Sequence, residues 1–568
     1  MRVLTASYPA EYGRKLGGIV EVTTGKDVPS GLHGEFDTSG GSFSTVSSSA
    51  GVSYARGRDH FLISGDGFHT SRYLDPPVLP NYTNRANAVG FSASYVRDFS
   101  NRDRLRVSVA HDIVRFLVPN ELVQQEAGQR QDAANMETSG QAYFQHTIRP
   151  DLFLTFSGSV RGVSATLFST PLAIPVIVSQ DRGYREAYVR ADLAGNPGHH
   201  DWKLGADSIF SPVHEKLHYT ITDPAQFDPG APPQFQFSDH RWDIEPSAYA
   251  QDHIHRGYWN VDAGLRFDHY AFVVHQSGWS PRFGVSRYVP SLDLLIHASY
   301  DRVFQTPAVE NLLLASSMQL ISMNSIVVRL PVQPARANYY EAGMTRAFFG
   351  RVRLNANVFR RDFLNYSDDD VLLNTGVSFP IAFAEGRIVG EEARLDVPAW
   401  GRFSGYLSYA NQSGIARGPI TGGLLLESDA VGRLADTRWF PVSQDQRNTA
   451  RARVRFQAAR RLWLALGGQY GSGLPADTGG ADPNFLLTQY GAAILGRVNL
   501  DRGRVRPSFS LDAAAGLDVY RKERRSASFQ IQAANLTDRV NVINFASLFS
   551  GTAIAPPHSV SARFKLTF

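Results

Sequence analysis

From Trp259 to Asp268 apolar and polar residues alternate without a break: Trp259, Val261, Ala263, Leu265 and Phe267 against Asn260, Asp262, Gly264, Arg266 and Asp268. A period of two places successive side chains on opposite faces of an extended chain, so the stretch predicts a strand with one apolar and one charged face. The same alternation sets Val352, Leu354, Ala356 and Val358 against Arg351, Arg353, Asn355 and Asn357. It also sets Ala527, Phe529, Ile531 and Ala533 against Ser528, Gln530 and Gln532. Such strands, about ten residues long, exceed the five to six of an average soluble strand and match the roughly nine to eleven that a tilted strand needs to cross a bilayer. The connections alternate in size. Short polar turns are expected at residues 56–59, 99–103, 149–151, 196–200, 256–258, 289–291, 349–350, 398–401, 459–461 and 522–525. Longer stretches rich in Pro, Asn and Asp lie between some of them, at 66–85, 212–240, 305–336 and 415–446. The pattern predicts an all-β fold, a transmembrane antiparallel β-barrel of about 22 strands with short periplasmic turns and long extracellular loops. Residues 471–507 are read mostly as one long loop, with an extra hairpin between 485 and 500 as the alternative.

The chain ends on the same alternation. Val560, Ala562, Phe564, Leu566 and Phe568 oppose Ser561, Arg563, Lys565 and Thr567. A barrel-closing strand needs an apolar side toward lipid and no free edge, which makes Val560, Phe564, Leu566 and Phe568 its expected lipid-facing residues. An ordinary edge strand that ends in Phe is the competing reading.

Composition narrows the class. Hydrophobic residues make up 43% and charged residues 19%, which speaks against disorder, yet the longest helical candidate, 312–332, is broken by Ser316, Ser317, Gln319, Asn324 and Arg329. No bilayer-spanning helix is expected. The 35 Phe, 23 Tyr and 49 Gly suit strands and turns. With no cysteine, disulfides and thiolate chemistry are excluded. The 57 basic and 53 acidic residues alternate instead of forming a stripe, so no nucleic-acid partner is expected. The N-terminus carries no charged and apolar leader, and since a barrel of this kind needs export, its start is expected to lie before Met1.

Signatures of enzymes are missing: no His-Glu-x-x-His, no Gly-x-Ser-x-Gly and no phosphate-cradling glycine loop. The chain is read as a non-enzyme with no catalytic residues, no metal and no cofactor. His199 and His200, or His253 and His255, could pair on a metal, and Asp368, Asp369 and Asp370 could hold a hard cation; solvated turns and loops are the simpler readings. In the loop from Asn311 to Val332, Leu312, Leu313, Leu314, Met318, Leu320, Ile321, Ile326, Val327 and Val328 either pack over the barrel mouth or contact a ligand, packing being the simpler case. Asp262, Arg266, Asp268, Arg351 and Arg353 are expected to line the lumen as ion pairs, as a plug contact or as cargo contacts.

Several short motifs resemble one family. Glu11-Tyr12-Gly13, followed by Gly17-Gly18-Ile19-Val20-Glu21-Val22-Thr23-Thr24, resembles the last strand of the plug in TonB-dependent receptors. Further matches are Ser280-Pro281-Arg282-Phe283-Gly284, Phe304-Gln305-Thr306-Pro307, Tyr339-Tyr340-Glu341-Ala342-Gly343, Asn535-Leu536-Thr537-Asp538 and the terminal Phe568, in the family's order along nearly the whole chain. The resemblance implies residues 1–30 as the C-terminal remnant of a plug domain, with Tyr12, Gly13, Gly17 and Gly18 as its end motif, and residues 31–568 as the barrel. Family members carry a long plug and a TonB-pairing box; neither stands ahead of Met1, and truncation is the expectation. Gly17 and Gly18 are read as turn residues, Pro281 and Pro307 as residues of strand starts or loops. The implied function is uptake of a bulky solute in the bacterial outer membrane, TonB-dependent if a plug is supplied. Its implied partners are outer-membrane lipid, the barrel assembly machinery and an extracellular ligand. The alternatives are a structural or adhesive surface barrel, an ungated pore, or a large soluble β protein. No residue identifies the ligand.

Overall fold

The computed structural model describes residues 2–4, 7–22, 30–227, 230–319, 331–371, 375–424, 437–476, 478, 481–545 and 551–568, the side chains of 2, 3 and 370 excepted. Period-two segments become antiparallel strands, and 22 of them close into one barrel, from Gly31–Gly41 to Ser559–Thr567. Trp439–Pro441 and Asn448–Gln457 both pair with Phe403–Gly422 and together form a single stave.

Closure is made by the two ends of this sequence of strands. Ser559–Thr567 pairs with Arg525–Ala534 on one side and with Gly31–Gly41 on the other. Phe568 extends the ladder: Gly34 N–H donates to its carbonyl at 2.9 Å, and its own N–H donates to Gly34 O at 2.9 Å. The Phe568 ring lies over Gly34, where a Cβ would collide with it. Both edges of the barrel sheet are thereby paired, as hydrocarbon surroundings require.

The outer face carries the apolar half of the alternation. Leu32, Val89 and Val160 are each more than 60% exposed, which would be costly in water and is ordinary against lipid. Tyr258, Trp259, Tyr288, Phe349, Trp400 and Phe403 gather beside the short turns, where an interfacial aromatic belt belongs. No helix among the described residues is long and apolar enough to cross a membrane; the crossing is made by strands.

All ten short turns mark strand junctions at one end of the barrel, though the one expected at 398–401 sits at 401–402, since the strand Ser378–Trp400 runs on through Pro398. The outer connections differ from expectation in two ways. His200–Ile221 and Gln234–Arg256 run for 22 and 23 residues, so most of the stretch read as a loop at 212–240 is paired strand, Pro212 opposite Trp242 included. Above the bilayer a ladder has water on its outer face, the apolar half of the pattern disappears, and the sequence reads as loop although pairing continues. The connections at 42–44, 170–175 and 272–274 are short. The described residues between 472 and 507 do form one external excursion: helices Pro483–Tyr490 and Ala492–Leu495, with the two-residue ladder Val498–Asn499 to Arg504–Val505, pack around Val542, Phe545 and Ile554 and add no stave.

Candidate functional site: a lumen chamber between a docked segment and an apolar lid

On the strand His200–Ile221, every second residue faces inward, and the inward row changes character along its length. Lys203 and Asp207 meet the N-terminal segment, Ser211 lines a cavity, Glu215 meets the loop helix Leu312–Ala315, and Leu217 and Tyr219 join an apolar core. The antiparallel neighbour Gln234–Arg256 repeats the order in reverse, with Phe237 in the core, Asp243 at the cavity, Glu245 and Ser247 beneath, and Gln251 lowest. Three layers follow from two-residue periodicity alone.

The lowest layer is the N-terminal segment. Arg2–Leu4 pairs with Ile19–Glu21, and residues 7–16 run along the inner wall. Gly18 supports the turn at φ +153°, a conformation L residues rarely adopt. Gly13 is needed for a different reason, since a Cβ there would fall inside the Arg266 side chain. Gly17 makes no close approach. Tyr12 contributes its carbonyl, which accepts from Arg282 Nη2 at 2.6 Å. Arg282 also donates to Tyr8 O at 3.1 Å and to Pro9 O, Leu16 N–H donates to Gln305 Oε1 at 2.7 Å, and Tyr339 OH donates to Leu16 O. Ser7 N–H and Glu11 N–H donate to Asp301 Oδ2 and Gln251 Oε1, both at 2.8 Å. Backbone that no sheet pairs is thus satisfied by wall side chains.

Charge fixes the same segment. Arg14 lies 2.8 Å from both Asp207 and Glu245, and Arg266, 1% exposed, bridges Asp207 at 3.0 Å and Asp268 at 2.8 Å. Glu11 accepts from Lys203 at 2.6 Å and from Arg190 at 2.7 Å. Burial alone would raise the Glu11 carboxyl, but the hydrogen bonds and charges of Lys203 and then Arg190 outweigh it and hold the group below its ordinary value.

The upper layer is the lid. Leu312, Leu313 and Leu314 are at most 1% exposed and pack with Val178, Tyr219, Phe237, Phe304 and Phe379 from the wall. Glu215 accepts from the Leu313 and Leu314 N–H groups at 2.9 and 3.1 Å, taking up helix-start donors that would otherwise be buried without partners. Asn311 ties the lid to the wall through Gln180 Oε1 at 2.9 Å and Ser378 O at 2.7 Å. Packing is therefore what Leu312, Leu313 and Leu314 do, whereas Met318 is 74% exposed. Leu320, Ile321, Ile326, Val327 and Val328 lie outside the described residues. Between lid and segment is a cavity of about 750 Å³, bounded below by Gly13, Arg14 and Lys15 and above by residues 306–310.

Asp262, Arg266 and Asp268 face the lumen, and Arg353 does so beside Asp396, 3.8 Å away. Arg351 does not: it is exposed in the turn after Phe349 and Gly350, whose positive φ values delay the strand to Val352. Pro281 lies inside a strand, not at its start, at the point where the ladder to Leu294–Gln305 stops with Arg282 opposite Asp301, a place where a missing N–H is tolerated. Pro307 is in a loop. Two of the four histidines face carboxylates, His200 at 2.6 Å from Asp252 and His253 at 2.7 Å from Asp262, while the rings of His199 and His255 meet edge-on at 5.6 Å. No cluster of three or more metal-ligating side chains occurs among the described residues. Asp368 accepts from Gln444 Nε2 at 3.1 Å, and the side chain of Asp370 lies outside the described set. Thr23 and Thr24 of the end motif also lie outside it. What the sequence did not reveal is that Arg282, Gln305 and Tyr339, each inside a recognised motif, all turn to the N-terminal segment. Their common target depends on barrel register, which no local pattern of residues reports.

A closed 22-strand barrel with an apolar belt, an aromatic rim and a charged lumen defines an outer-membrane protein. Residues 31–536 match the family model described as TonB dependent receptor-like, beta-barrel, and the chain belongs to that family. It is a family of receptors and transporters of the bacterial outer membrane, not of enzymes. Among solved structures, the copper transporter OprC superposes with a TM-score of 0.74 at 11% identity, covering 100% of this chain and 85% of that one. The siderophore receptor PiuA from Acinetobacter baumannii gives 0.68 at 12%, covering 95% and 82%. The ferric yersiniabactin uptake receptor FyuA from Yersinia pestis gives 0.69 at 12%, covering 96% and 81%. At these identities the likeness is one of fold.

Proposed function

We propose that the chain is the barrel of an uptake receptor for a bulky solute, that residues 1–30 are the end of its plug, and that TonB opens it by acting through that plug. Outer-membrane lipid, the assembly machinery and an extracellular ligand are its partners in this reading. The observation that carries it is the convergence of Arg282, Gln305, Tyr339 and Arg266, from four different strands, on the backbone of residues 8–16. A barrel without a gated passage has no use for so many inward groups committed to one short segment. The copper and siderophore cargoes in the neighbours' names support the class of solute, one too large or too scarce for general pores, without selecting among ferric chelates, cobalamin, oligosaccharides and peptides. The test is accumulation of labelled members of these four classes in cells whose only such receptor is this protein, with and without a functional TonB. Uptake of one class that disappears without TonB is expected. Equal uptake in both backgrounds would make the protein an ungated pore, and no uptake of any class would leave a structural or adhesive surface barrel.

A further inference from the structure

Away from the lumen, the outer face of five consecutive strands, from Leu294–Gln305 to Phe403–Gly422, changes chemistry at one height. Low on this face it is apolar, with Ile296, Met344, Val358 and Leu407 exposed. The rings of Tyr300 and Tyr340 then pair at 5.3 Å, with Arg360 next in their cross-strand row. Their sequence neighbours Tyr339 and Phe363 turn inward to the core beneath the N-terminal segment, which fixes this row as lipid-facing. The two rows above hold Arg302, Asp362 and Arg387, and then Arg336, Glu385 and Arg417. Ten residues separate Val352, at its short turn, from Asp362. At about 3.3 Å per residue and a tilt of about 40°, that is roughly 25 Å, the height of the apolar band of such a barrel. The arginines therefore stand where hydrocarbon gives way to the headgroups of the outer leaflet.

Charge on this strip does not cancel. Asp362 pairs with Arg360 at 2.7 Å and with Arg387 at 2.9 Å, and Glu385 pairs with Arg417 at 2.5 Å. Among the described residues no carboxylate pairs with Arg302 or Arg336; Arg302 is exposed, and Arg336 donates to Ser277 O at 3.1 Å. Five guanidiniums thus face two carboxylates. Arg387 and Arg417 lie over the Trp439 ring, at 5.5 and 5.2 Å, which holds both side chains against the wall instead of extended into water. A planar guanidinium meets a phosphate through two parallel N–H donors and is weakly hydrated for a cation, so arginines at headgroup height favour phosphate. From Arg302 to Arg387 is three strand spacings, about 14 Å, too wide for one phosphate and suited to two. The barrel wall stands between this strip and the lumen, so its surroundings do not depend on what fills the barrel.

We propose that these five arginines are a docking strip for an outer-leaflet lipid that carries two phosphates, its headgroup held by the guanidiniums and its acyl chains laid on Ile296, Met344 and Val358 below. The proposal rests on the outer-membrane placement and gives the lipid partner a site; the uptake reading does not depend on it. Native mass spectrometry of the purified full chain in detergent tests it, with diphosphoryl lipid A, monophosphoryl lipid A and phosphatidylethanolamine as probes. Diphosphoryl lipid A is expected to be retained best and the monophosphoryl form less well. The Arg302→Gln, Arg336→Gln double variant is expected to lose at least tenfold in affinity for it, and Arg460→Gln, altered at an exposed position in a periplasmic turn, to lose nothing. Arg302→Gln alone, at an exposed side chain, carries the test should the double variant fail to show the gel-mobility shift of a folded barrel. Equal or no retention of the three lipids, or unchanged affinity in whichever of these variants folds, overturns the proposal. Displacement of the lipid by an equal concentration of inorganic phosphate overturns it too, by showing a general anion patch. Each of these results leaves the uptake reading standing, and TonB-independent accumulation would defeat that reading while lipid retention stayed intact.

Discussion

At the scale of single residues, the N-terminal segment is fixed by a few side chains whose loss has calculable sign. Arg14→Ala leaves Glu245 buried without its cation and Asp207 with Arg266 alone; removing one partner of such a group typically costs about 3–5 kcal/mol. Most of that cost is expected to fall on docking of residues 7–19, because the wall carboxylates can regain water once the segment leaves. Proteolysis of this segment in the folded barrel should therefore accelerate by at least tenfold. Glu11 sets a pH dependence. Its carboxyl is held below the ordinary value, so its contribution is fully present above about pH 4.5 and is lost as pH falls through the lowered value. Amide exchange of residues 7–16 is expected to stay slow from neutral pH to that point and to rise below it, a rise that Glu11→Gln abolishes. Little of this was legible in the sequence. Alternation placed Arg266 and Asp268 inward, but their partners Asp207 and Arg14 lie 59 and more than 250 positions away, joined only by the register of the closed sheet.

At the scale of elements, turns were legible and strand ends were not. A turn such as Gly57 or Gly401, with φ near +61°, announces itself by residue type. Strand ends above the membrane do not, because pairing continues after lipid, the cause of the apolar period, has gone. The lid was half legible: Leu312, Leu313 and Leu314 signalled burial at the head of a helical candidate, and the Glu215 cap did not show. Leu313→Ala removes a side chain 1% exposed, and core truncations of this kind cost about 2–5 kcal/mol. The barrel's closure rests on its own strand ladders, so local exchange of residues 312–319 is expected to quicken while the barrel's melting point holds. A parallel fall in melting point would show that the lid is part of the barrel's cooperative unit. At the closing strand, Phe568→Ala uncovers Gly34. The ring is 46% exposed on the lipid side, so the cost should fall below the roughly 3–5 kcal/mol of a fully buried Phe→Ala truncation, at about 1–2 kcal/mol. It is expected as a lower unfolding temperature in the heat-modifiability gel, with the folded band still formed.

At the scale of the whole molecule, the membrane class follows from strand length and closure, whereas the chamber needs three parts of the chain remote in sequence. Residues 7–18, the wall strands and the lid come together only when 22 staves fix their relative heights. One measurement tests that arrangement directly, and the absence of cysteine makes it clean. Ser7 Oγ lies 3.2 Å from where a Cβ on Gly284 would stand, close to the separation that a disulfide requires between one sulfur and the opposite Cβ. In the Ser7→Cys, Gly284→Cys double variant, mild oxidation in intact outer membranes is expected to link the two positions, leaving no thiol for maleimide and a joined peptide pair after digestion. Two free thiols that label independently in the folded barrel would contradict docking of the segment on the inner wall, and with it the floor of the chamber.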